Sequence, residues 1–491
     1  MKKILSFIIA VMLSATGMAE INRPKLVVGL VVDQMRWDYL YYYYDQFQAD
    51  GLRRLIDGGY SFENTMINYV PTVTAVGHTS IYTGSVPALH GIVGNNFYMD
   101  GKQVYCCDDA TVQSVGSNSK AGQLSPRNLL ATGLGDMLKI HTDYKAKVVG
   151  VALKDRAAIL PAGHAADAAY WWDTSVGKFI SSTYYMKQLP GWVEKVNREI
   201  GTKPGIDVKA SPEGVVKTFR MAEAALINEG MGQDDITDLL AVSVSSTDAI
   251  AHQYGTRHKL MRESYMELDR QLAAFFKLLD ERVGRGNYLM FLSADHGGAH
   301  NPNELKAHKI PSGGLETWTW LGDVDKRVAQ KLGVTGKIIK DENAGGLYLD
   351  HEVIERSGKT LDEVKQAVIA EIEKRDEILY VVDYDKALIT SIPQPIRERI
   401  VNGYNKKRSG DLFYVAKAGW ENVSNKPDYI GTTHAQWNPY DAHIPFVLYG
   451  WNVNHGETSE PTNMTDIAPT ICAMLHIQMP NSCVGNAKTV K

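Results

Sequence analysis

Five short runs of consecutively apolar residues constrain the fold more than any other feature. They occupy positions 26–32, 148–153, 239–244, 289–293 and 445–449. None alternates apolar with polar, as a strand wetted on one face does. Runs of this kind suit strands covered on both sides. Helix-like stretches separate them, at 128–141, 214–228 and 260–282. In the second, Val215, Phe219, Ala222 and Leu226 recur at helical spacing. Alternation of this kind predicts a three-layer α/β/α sandwich with a mostly parallel central sheet. Residues 302–429 read differently, being richer in charge, with helix-like segments of their own at 360–375 and 394–403. They are expected to form an inserted cap beside the site, leaving 20–301 and 430–491 as the core.

In an open parallel sheet, ligands gather at the carboxyl ends of the strands. The chemically capable residues follow that rule. Asp33 closes the first run in LVVGLVVDQMR. Asp295 and His296 follow the fourth in YLMFLSADHGGAHN, and Asp248 and His252 follow the third in SSTDAIAHQYG. Lys154 and Arg156 come just after position 153, and His434 lies in GTTHAQWNPYDAHIPFVLYG. A mixture of carboxylate and imidazole suits zinc better than magnesium or calcium, which favour oxygen shells. Asp248, His252 and His434 are assigned to one zinc. Asp33, Asp295, His296 and the Thr74 oxygen are assigned to a second. Thr74, in PTVTAVGHTSIYTG, is the candidate hydroxyl nucleophile. Thr72, Thr79, Ser80 and Thr83 are its rivals, and a helix N-cap is the plainer role for any of them. His443 is the rival to His434; it and His78, His300 and His308 read as structural residues or as side chains that support the ligands from behind.

The first 19 residues, MKKILSFIIAVMLSATGMA, carry two lysines, a short apolar stretch and a small residue at a plausible cleavage point. This pattern predicts a cleavable signal peptide and a periplasmic or secreted product. The stretch is short for a membrane span, and no other long apolar run occurs. Loss of Lys2 and Lys3 would take the formal charge from −4 to −6. Mild acidity of this kind argues against a nucleic-acid scaffold. An anionic substrate therefore needs a local positive site. Export would permit oxidation of Cys106, Cys107, Cys472 and Cys483, but their pairing cannot be read from sequence.

The constellation resembles the alkaline phosphatase superfamily, in the branch of type I phosphodiesterases and nucleotide pyrophosphatases. Within it, the chain is most similar to the periplasmic, phosphate-irrepressible (PafA-type) alkaline phosphatases. The family's nucleophile motif, PTxTxxxHxxxxTG, reads PTVTAVGHTSIYTG here, which implies Thr74 rather than Thr72. Its HGI segment appears as HGIVGNNFY, which implies Asn95 as a phosphate-binding residue beside Asn96. The phosphatase group carries a lysine and an arginine two apart, here Lys154 and Arg156. Two residues apart on an extended segment, they would face one phosphoryl group. One departure stands out: the family often has glycine after the last histidine ligand, and Ala435 occupies that place. Alanine resists the positive φ that glycine tolerates.

The resemblance implies a zinc phosphomonoesterase acting on small phosphorylated substrates through a phosphothreonine. A phosphodiesterase on the same two-zinc site is the alternative, and a binding protein without turnover is the reading from another class. Trp171 and Trp172 are open to either a core role or stacking on a sugar or base.

Overall fold

The computed structural model describes residues 22–490, so the expected signal peptide lies outside the described residues. Ten strands form the central sheet. They are β1 (Leu26–Val32), β2 (Tyr60–Phe62), β3 (Ser114–Val115), β4 (Val148–Ala152), β5 (Ala168–Asp173), β6 (Lys178–Ser182), β7 (Asp238–Val244), β8 (Tyr288–Ser293), β9 (Phe446–Gly450) and β10 (Gly456–Thr458). Their order is β10-β2-β9-β8-β1-β7-β4-β5-β6-β3. The inner strands β8, β1, β7, β4 and β5 are parallel neighbours, flanked by antiparallel β9 on one side and β6 on the other. Every residue of β1, β4, β7 and β8 is buried, as their unbroken apolar character requires.

Helices cover both faces. The main ones are α1 (Thr74–Thr83), α2 (Leu134–His141), α3 (Asp155–Ala162), α4 (Pro212–Asn228), α5 (Ser246–Tyr254), α6 (Lys259–Leu279) and α7 (Ile467–Leu475). Helices α1, α2, α3 and α7 pack together, whereas α4, α5 and α6 form the other group. Small residues let one layer sit close. Gly29, Ala241 and Gly150 are adjacent in register on β1, β7 and β4. A Cβ at Gly150 would fall 2.2 Å from the Ala158 carbonyl of α3. Helix α3 therefore rests on the sheet backbone, with its N-terminus at the carboxyl end of β4.

Between β8 and β9 the chain builds a second, antiparallel sheet. Its strands lie in the order Ile339–Asn343, Gly346–Leu349, Leu412–Ala416, Ile378–Asp383. Helices Thr317–Leu332 and Leu361–Ile372 pack on each other beside it. Val324, Val328, Ile338, Val364 and Val368 belong to a hydrophobic cluster separate from that of the main sheet. Thr360 and Glu363 form a reciprocal capping box that starts the second helix.

One expectation changes, and one open alternative is settled. Residues 128–133 are not helical; α2 starts at Leu134, where Asp136 Oδ2 accepts the Gly133 N–H at 2.7 Å. Trp171 and Trp172 are buried within β5, and the Trp171 indole donates to the Ala121 carbonyl at 2.9 Å, which makes both core residues. All four cysteines are free thiols.

Candidate active site

Strand exits and helix starts bring the expected residues to one edge of the sheet. Asp33 ends β1, and its N–H donates to Val244 at the end of β7 at 3.0 Å. Asp295 and His296 leave β8, Asp248 and His252 share one side of α5, and His434 arrives on the loop before β9. Asp33, Asp295 and His296 are fully buried, and Asp248 nearly so. His252 is the most open, with 39% of its side chain exposed.

Each histidine spends Nδ1 on a carbonyl, which can only accept: His252 on Thr432 at 3.0 Å, His434 on Thr72 at 2.6 Å and His296 on Gly297 at 2.8 Å. The proton therefore sits on Nδ1, and each Nε2 lone pair is left for the site. His252 Nε2 and His434 Nε2 lie 3.2 and 3.5 Å from Asp248 Oδ1. His296 Nε2 lies 3.6 Å from Asp33 Oδ1 and 3.5 Å from Asp295 Oδ2. Two groups emerge whose ligand atoms lie within 4.8 Å of one another: Asp248 with His296 and His434, and Asp33 with Asp295 and His296. His296 is common to both, because its ring stacks on His434 at 3.6 Å between centroids.

Four buried atoms at this centre have no hydrogen-bond partner: Asp33 Oδ1, Asp248 Oδ1, Asp295 Oδ2 and His296 Nε2. Native interiors leave few polar atoms unpaired, and each such atom calls for an explanation. Four of them converging from three strands fit cations. Charge points the same way. Burial and the neighbouring Asp295 raise Asp33 well above the usual carboxylate range, despite Lys154. Burial also raises Asp248, but His252, while its ring is protonated, and Lys154 outweigh it and hold that carboxyl well below the usual range. Burial pushes His296 down to about 3, keeping it neutral and able to ligate.

Thr74 is the first residue of α1, not its cap; Val73 takes that place, without a side-chain bond. The rival hydroxyls are committed within the protein. Thr72 donates to the Gln436 carbonyl at 3.0 Å, Thr79 to Ala75 at 2.7 Å and Thr83 to Thr79 at 2.8 Å, while Ser80 pairs with His90 at 3.1 Å. The Thr74 hydroxyl instead accepts from Lys154 Nζ at 3.3 Å. That ammonium also bonds Asp33 Oδ2 at 2.7 Å and Asp248. Burial lowers its affinity for the proton, and the two carboxylates more than restore it.

Asn95 lies at the start of α1, its Oδ1 accepting the Ala75 N–H at 3.0 Å, which leaves the amide nitrogen to donate. Asn96 is exposed. His443 bonds the Glu63 carbonyl at 2.8 Å and stacks on Trp37, and His300 pairs with Thr256 at 2.6 Å. His308 is exposed. Lys154 and Arg156 do not share an extended segment: Lys154 caps α3 and Arg156 lies in its first turn. Lys154 reaches the carboxylates, whereas Arg156 Nη1 donates to the Tyr105 hydroxyl at 3.2 Å. Tyr105 carries no motif of its own; only the fold brings it to Arg156. Ala435 adopts φ 114°, the left-handed side that glycine would occupy without strain.

The family description of type I phosphodiesterases and nucleotide pyrophosphatases matches residues 27–439. The chain belongs to that family. It is 43% identical to alkaline phosphatase PafA of Elizabethkingia meningoseptica, over 98% of this chain and 97% of that protein. It is 44% identical to a calcium-transporting ATPase of Myroides odoratus, over 95% of this chain and 94% of that one. The crystal structure of wild-type PafA superposes with a TM-score of 0.91 at 44% identity, covering 95% of this chain and 99% of the other. Fold and family thus agree with the mixed α/β sandwich.

Proposed function

We propose that this protein is an exported alkaline phosphatase that hydrolyses phosphate monoesters through a phosphothreonine on Thr74. Two zinc ions, held by Asp33, Asp248, His252, Asp295, His296 and His434, complete the site. The observation that carries this reading is the Thr74 hydroxyl, which accepts from Lys154 Nζ at 3.3 Å, at a buried cluster with four unpaired ligand atoms. When bound, the ions supply positive charge for a phosphate dianion and lower the hydroxyl pKa. Thr74 Oγ forms the bond to phosphorus as the ester oxygen departs and takes up a proton. Water then attacks the phosphothreonine, restoring the hydroxyl and releasing inorganic phosphate.

A monoester carries more non-bridging charge than a diester. Lys154, Arg156 and the amide nitrogen of Asn95 supply three donors for it, which favours the monoester. Identity to PafA over nearly the whole chain supports the same substrate class. The name of the Myroides odoratus relative shares phosphoryl chemistry with this reading. Among the described residues, no helix is long and apolar enough to cross a membrane. Export rests on the lysines and apolar stretch of residues 1–19. Thr74→Ala should abolish turnover and keep the metal content of the parent. A fully active variant would remove the phosphothreonine.

A further inference from the structure

We propose that Tyr105 is a positioning residue that holds Arg156 toward the phosphoryl group, and that the inserted sheet steadies Tyr105 through a hairpin. The inference rests on the reading of Arg156 as a phosphate-binding residue.

The hairpin joins Asn96–Met99 to Lys102–Tyr105, with Asn96 opposite Tyr105. Its open end is closed by the Cys106 N–H, which donates to the Asn95 carbonyl at 2.9 Å. Asn95, which bonds the first turn of α1, and Tyr105, which bonds the first turn of α3, are therefore tied together. The Tyr105 hydroxyl donates to Asp155 Oδ1 and accepts from Arg156 Nη1 at 3.2 Å. Asp155 Oδ1 also accepts the Arg156 N–H at 2.5 Å. A phenol has one proton, so donation to Asp155 turns its lone pairs toward the guanidinium. Phenylalanine can do neither. Arg156 Nε is buried and has no partner. One edge of the planar fork is thus spent on Tyr105, which fixes the plane in which the remaining N–H groups can meet a phosphate.

The hairpin is held from its tip to its base by the inserted sheet. Asp341 accepts from the Tyr98 hydroxyl at 3.2 Å and from Gln103 Nε2 at 2.9 Å. Lys340 Nζ donates to the Gly101 carbonyl at 3.0 Å and lies 5.1 Å from the Tyr98 ring centroid. Asn343 Nδ2 donates to the Asn96 carbonyl. The insertion is thereby linked through the hairpin to Asn95 and Tyr105.

The test is a double-mutant cycle on the full, zinc-loaded protein, with an aryl phosphate monoester as substrate and inorganic phosphate as inhibitor. Tyr105→Phe should lower kcat/KM about tenfold and weaken phosphate inhibition by a similar factor, as loss of a bond to a charged group does. In an Arg156→Ala background it should change neither by more than about twofold. Asp341→Ala, remote from the site, should show the same dependence on Arg156 and serves if Tyr105→Phe does not fold. Equal losses in both backgrounds, or no loss in either, would overturn the proposal. If Arg156→Ala alone costs nothing, the reading of Arg156 fails and takes this inference with it. A costly Arg156→Ala beside a silent Tyr105→Phe sinks the inference alone.

Discussion

Gly77 separates packing from helix propensity at the heart of the site. It lies three residues after Thr74 in α1, and its N–H donates to the Val73 carbonyl at 3.0 Å. In an isolated helix, alanine would be favoured over glycine by about 1 kcal/mol. Here a Cβ would fall 2.1 Å from the Asp295 carbonyl oxygen and 2.7 Å from Asp295 Cα, where ordinary contact begins at 3.4 Å. Both atoms are backbone, so no side-chain rotation relieves the clash, and α1 must shift by roughly 1 Å. Overpacking of this kind costs about 1–3 kcal/mol, and a displaced nucleophile costs about 100-fold in kcat. Gly77→Ala should therefore lower the urea midpoint of the zinc-loaded protein and reduce kcat on an aryl phosphate. A variant more stable than the parent, with unchanged kcat, would refute the claim that α1 packs on the Asp295 backbone to place Thr74.

Three further outcomes follow from the same geometry. Chelation should lower the melting temperature, and zinc restored at about a thousand times its Kd should return about 4 kcal/mol; an unchanged melting temperature with metal removal confirmed by mass spectrometry would contradict this. Lys154→Ala with Arg156→Ala should reduce or reverse the preference for a monoester over a matched diester, and an unaltered ratio would show that these cations do not set it. The hydrogen bond that His351 Nε2 donates to Asp411 Oδ1, at 2.7 Å, raises the His351 pKa. A raised histidine pKa stabilises the fold fully below about pH 6.5 and loses that effect as pH rises through the folded value. Because the imidazole is 62% exposed, this is worth less than about 1 kcal/mol, and His351→Ala should remove that slope from urea titrations across the range.

The inner sheet was legible because burial on both faces demands unbroken apolar runs. Those runs became β1, β4, β7, β8 and β9, and the metal-binding candidates sit where strand exits place them. Other strands were hidden. Tyr60–Phe62 is too short to show periodicity, and Ala168–Asp173 mixes two tryptophans with a terminal carboxylate. Direction was hidden too: nothing in Phe446–Gly450 marks it as antiparallel to its neighbour. The apolar spacing of residues 128–133 resembles a helix, yet long-range bonds compete there. Arg408 Nη1 takes the Asn128 carbonyl at 2.6 Å, an interaction between positions 280 apart. The sharing of His296 and the link from Tyr105 to Arg156 arise only when distant segments meet. Ala435 illustrates the reverse case, where a departure from the family pattern located a backbone of unusual φ.

The most direct test of the central claim is hydrolysis of a matched aryl phosphate monoester and diester by the zinc-loaded protein, with a chelated control. The account predicts metal-dependent turnover that strongly favours the monoester. Preference for the diester would transfer the site to phosphodiesterase chemistry, and turnover that survives complete metal removal would contradict the role assigned to the Asp33, Asp248, Asp295 and His296 cluster.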